Sequence, residues 1–447
     1  MVERGGPERR QRRPKETERD LLPAPTWPRR EHKLFMEADG ALGYLLWQRA
    51  RDVRLWASFR GASPAGLFRP LSARQRRLSA EAAREAPEIA EPLSTLDALV
   101  SAPENAVRGA VGAACAQISA WGEGCSRFEV ALAYAEAAAT AEPDSARAAA
   151  TAGQLCTLVQ ADPSGEAMEA RATTWLHRAA RLARRGKDWE WYIRAHIRLG
   201  RLTYILGNYP RARRLYNRAG WMADWFGRTE LAGKAHHDLA AIESHVGPYA
   251  AAERHVRKAL RLYPVHHPRL PYLVHDYGFA LMRHSYHAAA LQLLEAAWDH
   301  IPPDNRLVIN GTLARVSGGL RDRGRYEQAA SHATLLAELS EYGAAWAYIH
   351  MAEGARCFGE WDRAEAYAGK GLELAQRRRE MDAQRVAYEV LDAITTRRPA
   401  PAAQEAPQSA TELVALCVER LRKLREGPDE PDAAVPASRV VTTAWAP

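Results

Sequence analysis

The sequence predicts an all-α fold, a solenoid of stacked helix pairs, and three observations carry that prediction. The first is the stretch 193–227, IRAHIRLGRLTYILGNYPRARRLYNRAGWMADWFG, which reads as two helices folded back on each other. Ile193, His196, Ile197, Gly200, Tyr204 and Ile205 recur at three- and four-residue steps, the period of a buried helix face. Gly207-Asn208 supplies turn chemistry, and Pro210 falls in the first turn of the next helix, where a missing N–H is tolerated. That helix places Ala212, Leu215, Tyr216, Ala219 and Met222 on one face. Small residues at Gly200, Ala212 and Ala219 let the two backbones approach, and Leu199, Tyr204, Tyr209 and Tyr216 fill the remaining space.

The second observation is that this unit recurs. Ala212 has counterparts at Ala131, Ala172, Ala252, Ala289, Ala329 and Ala364, in steps of about 40 residues. Seven residues after each stand Ala138, Ala179, Ala219, Ala259, Ala296, Leu336 and Gly371. Three residues before each stand Phe128, Glu169, Tyr209, Tyr249, Tyr286, Tyr326 and Trp361, aromatic at every unit but the one holding Glu169. Glycine precedes four of these at Gly207, Gly247, Gly324 and Gly359, and proline closes two units at Pro143 and Pro264. The third observation is negative: no segment carries a convincing strand pattern.

Leu-Gly early in the first helix, Gly-x-Tyr at the turn, spaced alanines and a closing proline together resemble the tetratricopeptide repeat. The match is close over 193–227 and in the turn-plus-second-helix halves of later units, and looser before residue 190. The repeats run a few residues beyond the family length of about 34, like long bacterial-type repeats. The resemblance implies a right-handed superhelical solenoid of about seven antiparallel helix pairs with a concave groove lined by the first helix of each pair.

In chain order, residues 1–30 are basic and Pro-punctuated, the composition of a disordered arm. From 31 to 60, Phe35, Ala38, Leu42, Leu45, Leu46, Val53 and Trp56 trace a helix face interrupted by Gly40 and Gly43. A second helix is expected over 72–86, and a third opening at Ser94 with a capping-box spacing to Asp97. Residues 31–110 thus make an N-terminal cap or one degenerate repeat. The array occupies 111–380, with breaks at 162–165 and 302–305. A capping helix follows over 381–397, a Pro/Ala linker over 398–408, an amphipathic helix over 409–426 and a polar tail over 427–447. The amphipathic helix, with Leu413, Leu416, Cys417, Val418, Leu421 and Leu424, either folds back on the array or serves as a tethered ligand for a groove.

Composition bounds the chemistry. Of 447 residues 47% are hydrophobic, ample for a packed interior. Five scattered cysteines, Cys115, Cys125, Cys156, Cys357 and Cys417, form no C-x-x-C pair and point to a reduced compartment without structural zinc. No apolar run reaches the roughly 18–20 residues of a membrane span, so the expectation is a cytoplasmic protein. The net charge of +8 comes almost wholly from arginine, because only seven of the 62 basic residues are lysines. With abundant alanine, that skew is also what a GC-rich coding sequence produces.

No H-E-x-x-H, phosphate-cradling G-x-x-x-x-G-K-[ST], G-x-S-x-G or strand-linked G-x-G-x-x-G occurs, so no catalytic residue, cofactor or metal is assigned. Nine of fifteen histidines lie between His236 and His287, at spacings that match no ligand set. The basic stretch is the stronger signal. From Trp191 to Ala223 there are seven arginines (194, 198, 201, 211, 213, 214 and 218), no Asp or Glu, and interleaved aromatics. Such a segment suits an acidic protein or peptide, or less readily nucleic acid, yet it can equally be a solvated face over packing aromatics.

Carrying over the family's groove positions selects Arg194, Arg198, Arg201, Tyr204, Lys234, His237, Tyr272, His275, Phe279, Arg321, Trp346 and Arg356 as the partner-binding set. Ile197, Ile349 and Glu353 fall on the same helix faces. The Lys/Asn set that clamps a C-terminal carboxylate in co-chaperone repeats is absent. The expected function is a non-catalytic scaffold for an acidic protein or peptide segment. The alternatives are a peptide-sensing regulator of transcription or signalling working through a separate effector, and a nucleic-acid-binding helical array.

Overall fold

The structure, a computed structural model, describes residues 38–426 except positions 39, 62, 70, 160–165 and 340–342. The basic arm, the polar tail and the break at 162–165 lie outside the described residues. Among the described residues there are nineteen α-helices and no strand, so the all-α expectation holds.

Helices α1 (Gly40–Ser58), α2 (Ala73–Glu85) and α3 (Ala90–Ser101) form an N-terminal block. Four pairs follow: α4 and α5 (Arg108–Gly124, Phe128–Ala141), α6 and α7 (Ala146–Leu155, Glu166–Arg185), α8 and α9 (Trp189–Ile205, Tyr209–Trp225), α10 and α11 (Thr229–Val246, Tyr249–Leu262). Three more complete the array: α12 and α13 (Leu270–Arg283, His287–Trp298), α14 and α15 (Leu307–Gly319, Arg323–Leu339), α16 and α17 (Ala344–Cys357, Trp361–Arg378). Last come α18 (Met381–Thr395) and α19 (Gln408–Glu426).

From α1 to α18 each helix packs on its sequence neighbour, and the first helix of a pair also packs on the first helix of the next: α6 on α8, α8 on α10, α10 on α12, α12 on α14, α14 on α16. First helices therefore make an inner row and second helices an outer one, which is how a chain of local hairpins becomes one continuous core. The inner row is closest where side chains vanish. A Cβ on Gly318 would sit 2.6 Å from the Gly354 backbone, and one on Gly311 would sit 2.6 Å from Ala347 Cα.

Five of the turns within a pair share one form, in which a left-handed residue lets the chain reverse at the end of the outgoing helix. In the α8–α9 turn that residue is Gly207 (φ 72°), the Asn208 N–H reaches Thr203 O at 3.0 Å, and Asn208 Oδ1 accepts from Arg211 N at 3.2 Å. Gly359 plays the same part at φ 76°. Gly247 and Gly324 do not: Gly247 is extended (φ −107°), and Gly324 lies inside α15. At the α14–α15 turn Arg321 takes the left-handed conformation (φ 60°), as do Ser126 and Ser285 in other pairs and Lys187 between α7 and α8. Non-glycine residues tolerate this region at a cost of about 1–2 kcal/mol, which hides the turn from a search for glycine.

Alanines at the repeat positions 131, 172, 212, 252 and 364 are fully buried. The fifth unit departs from the expected register: Ala290 and Ala297, not Ala289 and Ala296, are the buried pair. The reason is that Tyr286 caps α13, whereas Tyr209 opens α9, so the buried face falls one residue later. In the sixth unit Ala333 is buried, while Leu336 is half-buried.

Ion pairs at low exposure weld the N-terminal block to the array. Glu136 on α5 accepts from Arg54 Nη2 on α1 at 2.9 Å and from Trp175 Nε1 on α7 at 3.1 Å, and also binds Arg171. Asp97, expected as part of a cap, instead receives Arg49 Nε at 2.6 Å, because α3 begins four residues earlier, at Ala90, and Ser94 lies within it. At the other end α19 lies on the outer row, over α11 and α13, with Ala410, Leu413, Val414, Cys417 and Leu421 buried. Arg420 Nη2 donates to Tyr263 O at 2.6 Å, and Arg257 Nη2 on α11 donates to Ser409 O at 2.6 Å.

Candidate functional site: a basic cleft on the inner row

Three elements bring cations to one place. Helix α8 contributes Arg198 and Arg201, α10 contributes Lys234, and the turn before α12 contributes Arg269. Together with Asp238, Gln154, Thr157, Leu158, Leu176, Ile197 and Leu202 they line a cleft across the inner faces of α6, α8 and α10. Arg198, Arg201, Lys234 and Asp238 sit one helical turn apart on their own helices, so the same face of each points into the cleft. The lining holds four cations and one carboxylate. Glu123 and Glu230 stand close enough to be felt by Arg198 and Lys234, and so border it.

The cations feel one another. Burial, and after it Arg269, push the Lys234 ammonium well below the usual lysine range; Asp238 opposes that, while Arg198 and Arg201 add to it. Burial, followed by Arg194, lowers the Arg198 guanidinium to about 10, against the pull of Glu123. Arg198 Nη1 is buried without a hydrogen-bond partner in the protein. Its guanidinium lies 5.5 Å from the Trp191 ring centre, with Arg194 5.6 Å from the same ring. Arg194 Nη2 donates to Glu190 Oε1 at 3.0 Å. A cluster of like charges held partly out of water favours an anion beside it.

The remaining residues of the expected groove are used otherwise. Tyr204, Phe279 and Trp346 are buried around His245, which lies 5.8, 4.6 and 5.2 Å from their rings. His350 extends this column, 5.6 Å from Phe279. The inner row therefore closes on itself here and leaves no open groove over these three residues, since a tight superhelix brings non-adjacent first helices into contact. Arg379, at the end of α17, and Glu169 on α7 are 4.0 Å apart, so the last pair also approaches the second.

His237 and His275 are equally committed. His237 Nε2 and His275 Nδ1 flank Asp276, at 2.9 and 3.1 Å, and His275 Nε2 meets Thr312 Oγ1 at 3.3 Å. The two imidazoles outweigh burial and hold the Asp276 carboxyl well below its usual range. Tyr272 is buried and accepts from Asn305 Nδ2 at 3.4 Å. Arg356 Nε donates to Glu353 Oε2 at 3.0 Å and its Nη1 to Arg398 O at 2.8 Å. Arg321 is an exposed turn residue, outside the cleft lining. Of the twelve, only Arg198, Arg201 and Lys234 line the cleft, and Arg194 acts on Arg198. Sequence reasoning missed Arg269 and Asp238. Asp238 was within reach, four residues after Lys234 on the same helix face; Arg269 carried no periodic signal, because it precedes its helix.

Among the described residues no group of three or more His, Cys, Asp or Glu side chains is placed to hold a metal ion, and no helix is long and apolar enough to cross a membrane. No family model matches the chain, and no curated protein matches it. A solved structure described as a circular tandem repeat protein with novel repeat topology and enhanced subunit contact surfaces is similar at 14% identity, over 87% of this chain and 99% of that one, with a TM-score of 0.23. The class defined by the packing itself is an all-α repeat solenoid.

Proposed function

We propose that this chain is a non-catalytic binding scaffold of the tetratricopeptide type, whose basic cleft receives an acidic segment of a protein or peptide partner. The observation that carries the reading is the convergence of Arg198, Arg201, Lys234 and Arg269 on one cleft around the single carboxylate Asp238. Charge complementarity of this kind sets specificity and encounter rate. A preformed helical scaffold loses little freedom on binding.

A second reading, a peptide-sensing regulator acting through a separate effector, is favoured by one feature. Helices α8 and α10, which form the cleft, also carry Tyr204 and His245 into the column that touches α12 and α16. A ligand that shifts α8 against α10 would be felt at the far end of the array.

The test is fluorescence anisotropy with a labelled Asp/Glu-rich peptide containing two leucines, against wild type and the variants Arg198→Glu, Lys234→Glu and Arg269→Glu. The expected result is a loss of about tenfold or more for each reversal, together with weakening in salt. Equal affinity in all four proteins overturns the reading. A change of oligomeric state on peptide addition selects the regulator.

A further inference from the structure

A second surface, on the opposite side of the array from the cleft, has a composition of its own. The outer helices α7, α9 and α11 expose Arg181, Arg211, Arg214, Arg218, Arg254 and Arg261. Among the described side chains of these three helices the one exposed acid is Asp224, and Lys258 Nζ on α11 holds it at 3.0 Å. The three rows form one field. His177, on α7, is pushed toward its neutral form first by burial and then by Arg211 across on α9 and by Arg181 on its own helix.

Arginines on these helices are matched in places, Arg257 by Glu253 and Arg213 by Glu243, as Arg363 is by Glu327 and Glu360 elsewhere, but none of those pairs involves the six exposed arginines. A coding bias toward arginine would raise the count everywhere. It would not leave so few exposed acids beside the exposed arginines of three neighbouring outer helices.

Two indoles stand in the middle of this field. Trp221 and Trp225, one turn apart on α9, are 62% and 72% exposed, and their rings stack on each other with centroids 5.8 Å apart and planes 27° apart. Leaving two large aromatic faces in water is unfavourable for a side chain with no partner. An anionic membrane would call for a broad apolar face beneath the cations. Among the described side chains over 166–262, Val246 is the only other large exposed apolar residue, which gives the cations no broad apolar face. A base-paired duplex hides the flat faces of its bases, whereas an unpaired strand presents both π-faces and phosphates.

We propose that the outer face of α7, α9 and α11 binds single-stranded nucleic acid, with Trp221 and Trp225 stacking an unpaired base and the surrounding arginines holding the phosphates. This surface is separate from the cleft, so either assignment can fail without the other.

The experiment uses the full chain with labelled 20-nucleotide oligo-dT and oligo-rU, a hairpin duplex of the same length, and vesicles of phosphatidylcholine and phosphatidylglycerol. The expected result is quenching of tryptophan fluorescence by the single strands, with weaker binding of the duplex and the vesicles. Six neutralised phosphates predict a log–log salt slope near −4, at about 0.7 per contact. Trp221→Ala/Trp225→Ala should lose roughly tenfold in affinity, while Trp221→Phe/Trp225→Phe retains most of it, because a phenyl ring still stacks. Arg211→Glu/Arg214→Glu should weaken binding and flatten the salt slope, with circular dichroism checking that each variant is folded. The proposal is overturned if single strands do not bind at low salt, or if the alanine pair binds them as wild type does. Equal or tighter binding of duplex or vesicles overturns it too, as does a dimer that the alanine pair dissolves in a protein that binds no oligonucleotide.

Discussion

His245 lies against Phe279 with ring centroids 4.6 Å apart and planes 30° apart, and both of its imidazole nitrogens are buried without a hydrogen bond. A histidine in that position packs as an aromatic ring and is held neutral. Burial, and then the Arg283 guanidinium, lower it from 6.5 to about 3. The folded value lies below the unfolded one, so the protein keeps the full benefit of neutral His245 above about pH 6.5 and loses it as pH falls toward 3.

His245→Phe should therefore flatten the pH dependence of stability between pH 6.5 and 4, by up to about 1.4 kcal/mol per pH unit. Urea unfolding at pH 7, 5.5 and 4.5 reads this directly. An unchanged slope in the variant would show that His245 is protonated in the fold.

Asp382, in the first turn of α18, titrates in the opposite sense. Burial, and then Glu380, raise its carboxyl from 3.8 to about 8. The folded value exceeds the unfolded one, so the protonated acid supports the fold at low pH and that support is lost as pH rises from about 4 through 8. Asp382→Asn should raise the melting temperature at pH 8 by several degrees and leave it nearly unchanged at pH 4. Equal gains at both pH values would contradict the assignment.

The close approach of α14 and α16 depends on missing side chains. Gly318→Ala puts a methyl 2.6 Å from the Gly354 backbone, which cannot step aside as a flexible side chain would, and should cost about 1–3 kcal/mol. Gly369, on the exposed face of α17, has nothing within 4 Å of a Cβ. Gly369→Ala should instead stabilise by about 0.5–1 kcal/mol, because alanine loses less backbone freedom in a helix. Chemical denaturation of both variants tests the pair, and the prediction fails if they move in the same direction.

Helix α19 is held on the outer row by five buried apolar residues at the end of a stretch, 398–407, that has no regular structure. Leu413→Asp places a charge in that contact and should release the helix while the array stays folded. Limited proteolysis would then cut within 398–407 much faster than in wild type, with little change in circular dichroism. Identical cleavage rates would mean that α19 stays docked without Leu413.

Ser285 carries the left-handed turn between α12 and α13 at φ 63°. Ser285→Gly removes a steric penalty of about 1 kcal/mol, and part of that gain should appear as a higher urea midpoint. A lower midpoint would show that the side chain contributes more than its backbone costs.

What the sequence by itself determined is local. Helical period, the turn at Gly207-Asn208 and the recurrence of Ala131, Ala172, Ala212, Ala252 and Ala364 establish the paired helices, because these signals act between residues a few positions apart. They also give Arg198, Arg201 and Lys234 a shared inner face. Only the tertiary structure decided how far the array curls. Curvature accumulates from small rotations at every helix contact, including the glycine contacts of α14 with α16, and no single residue encodes it. That accumulation buries Tyr204, Phe279 and Trp346 around His245 where an open groove was expected, and brings Arg269 from a turn into the basic cleft.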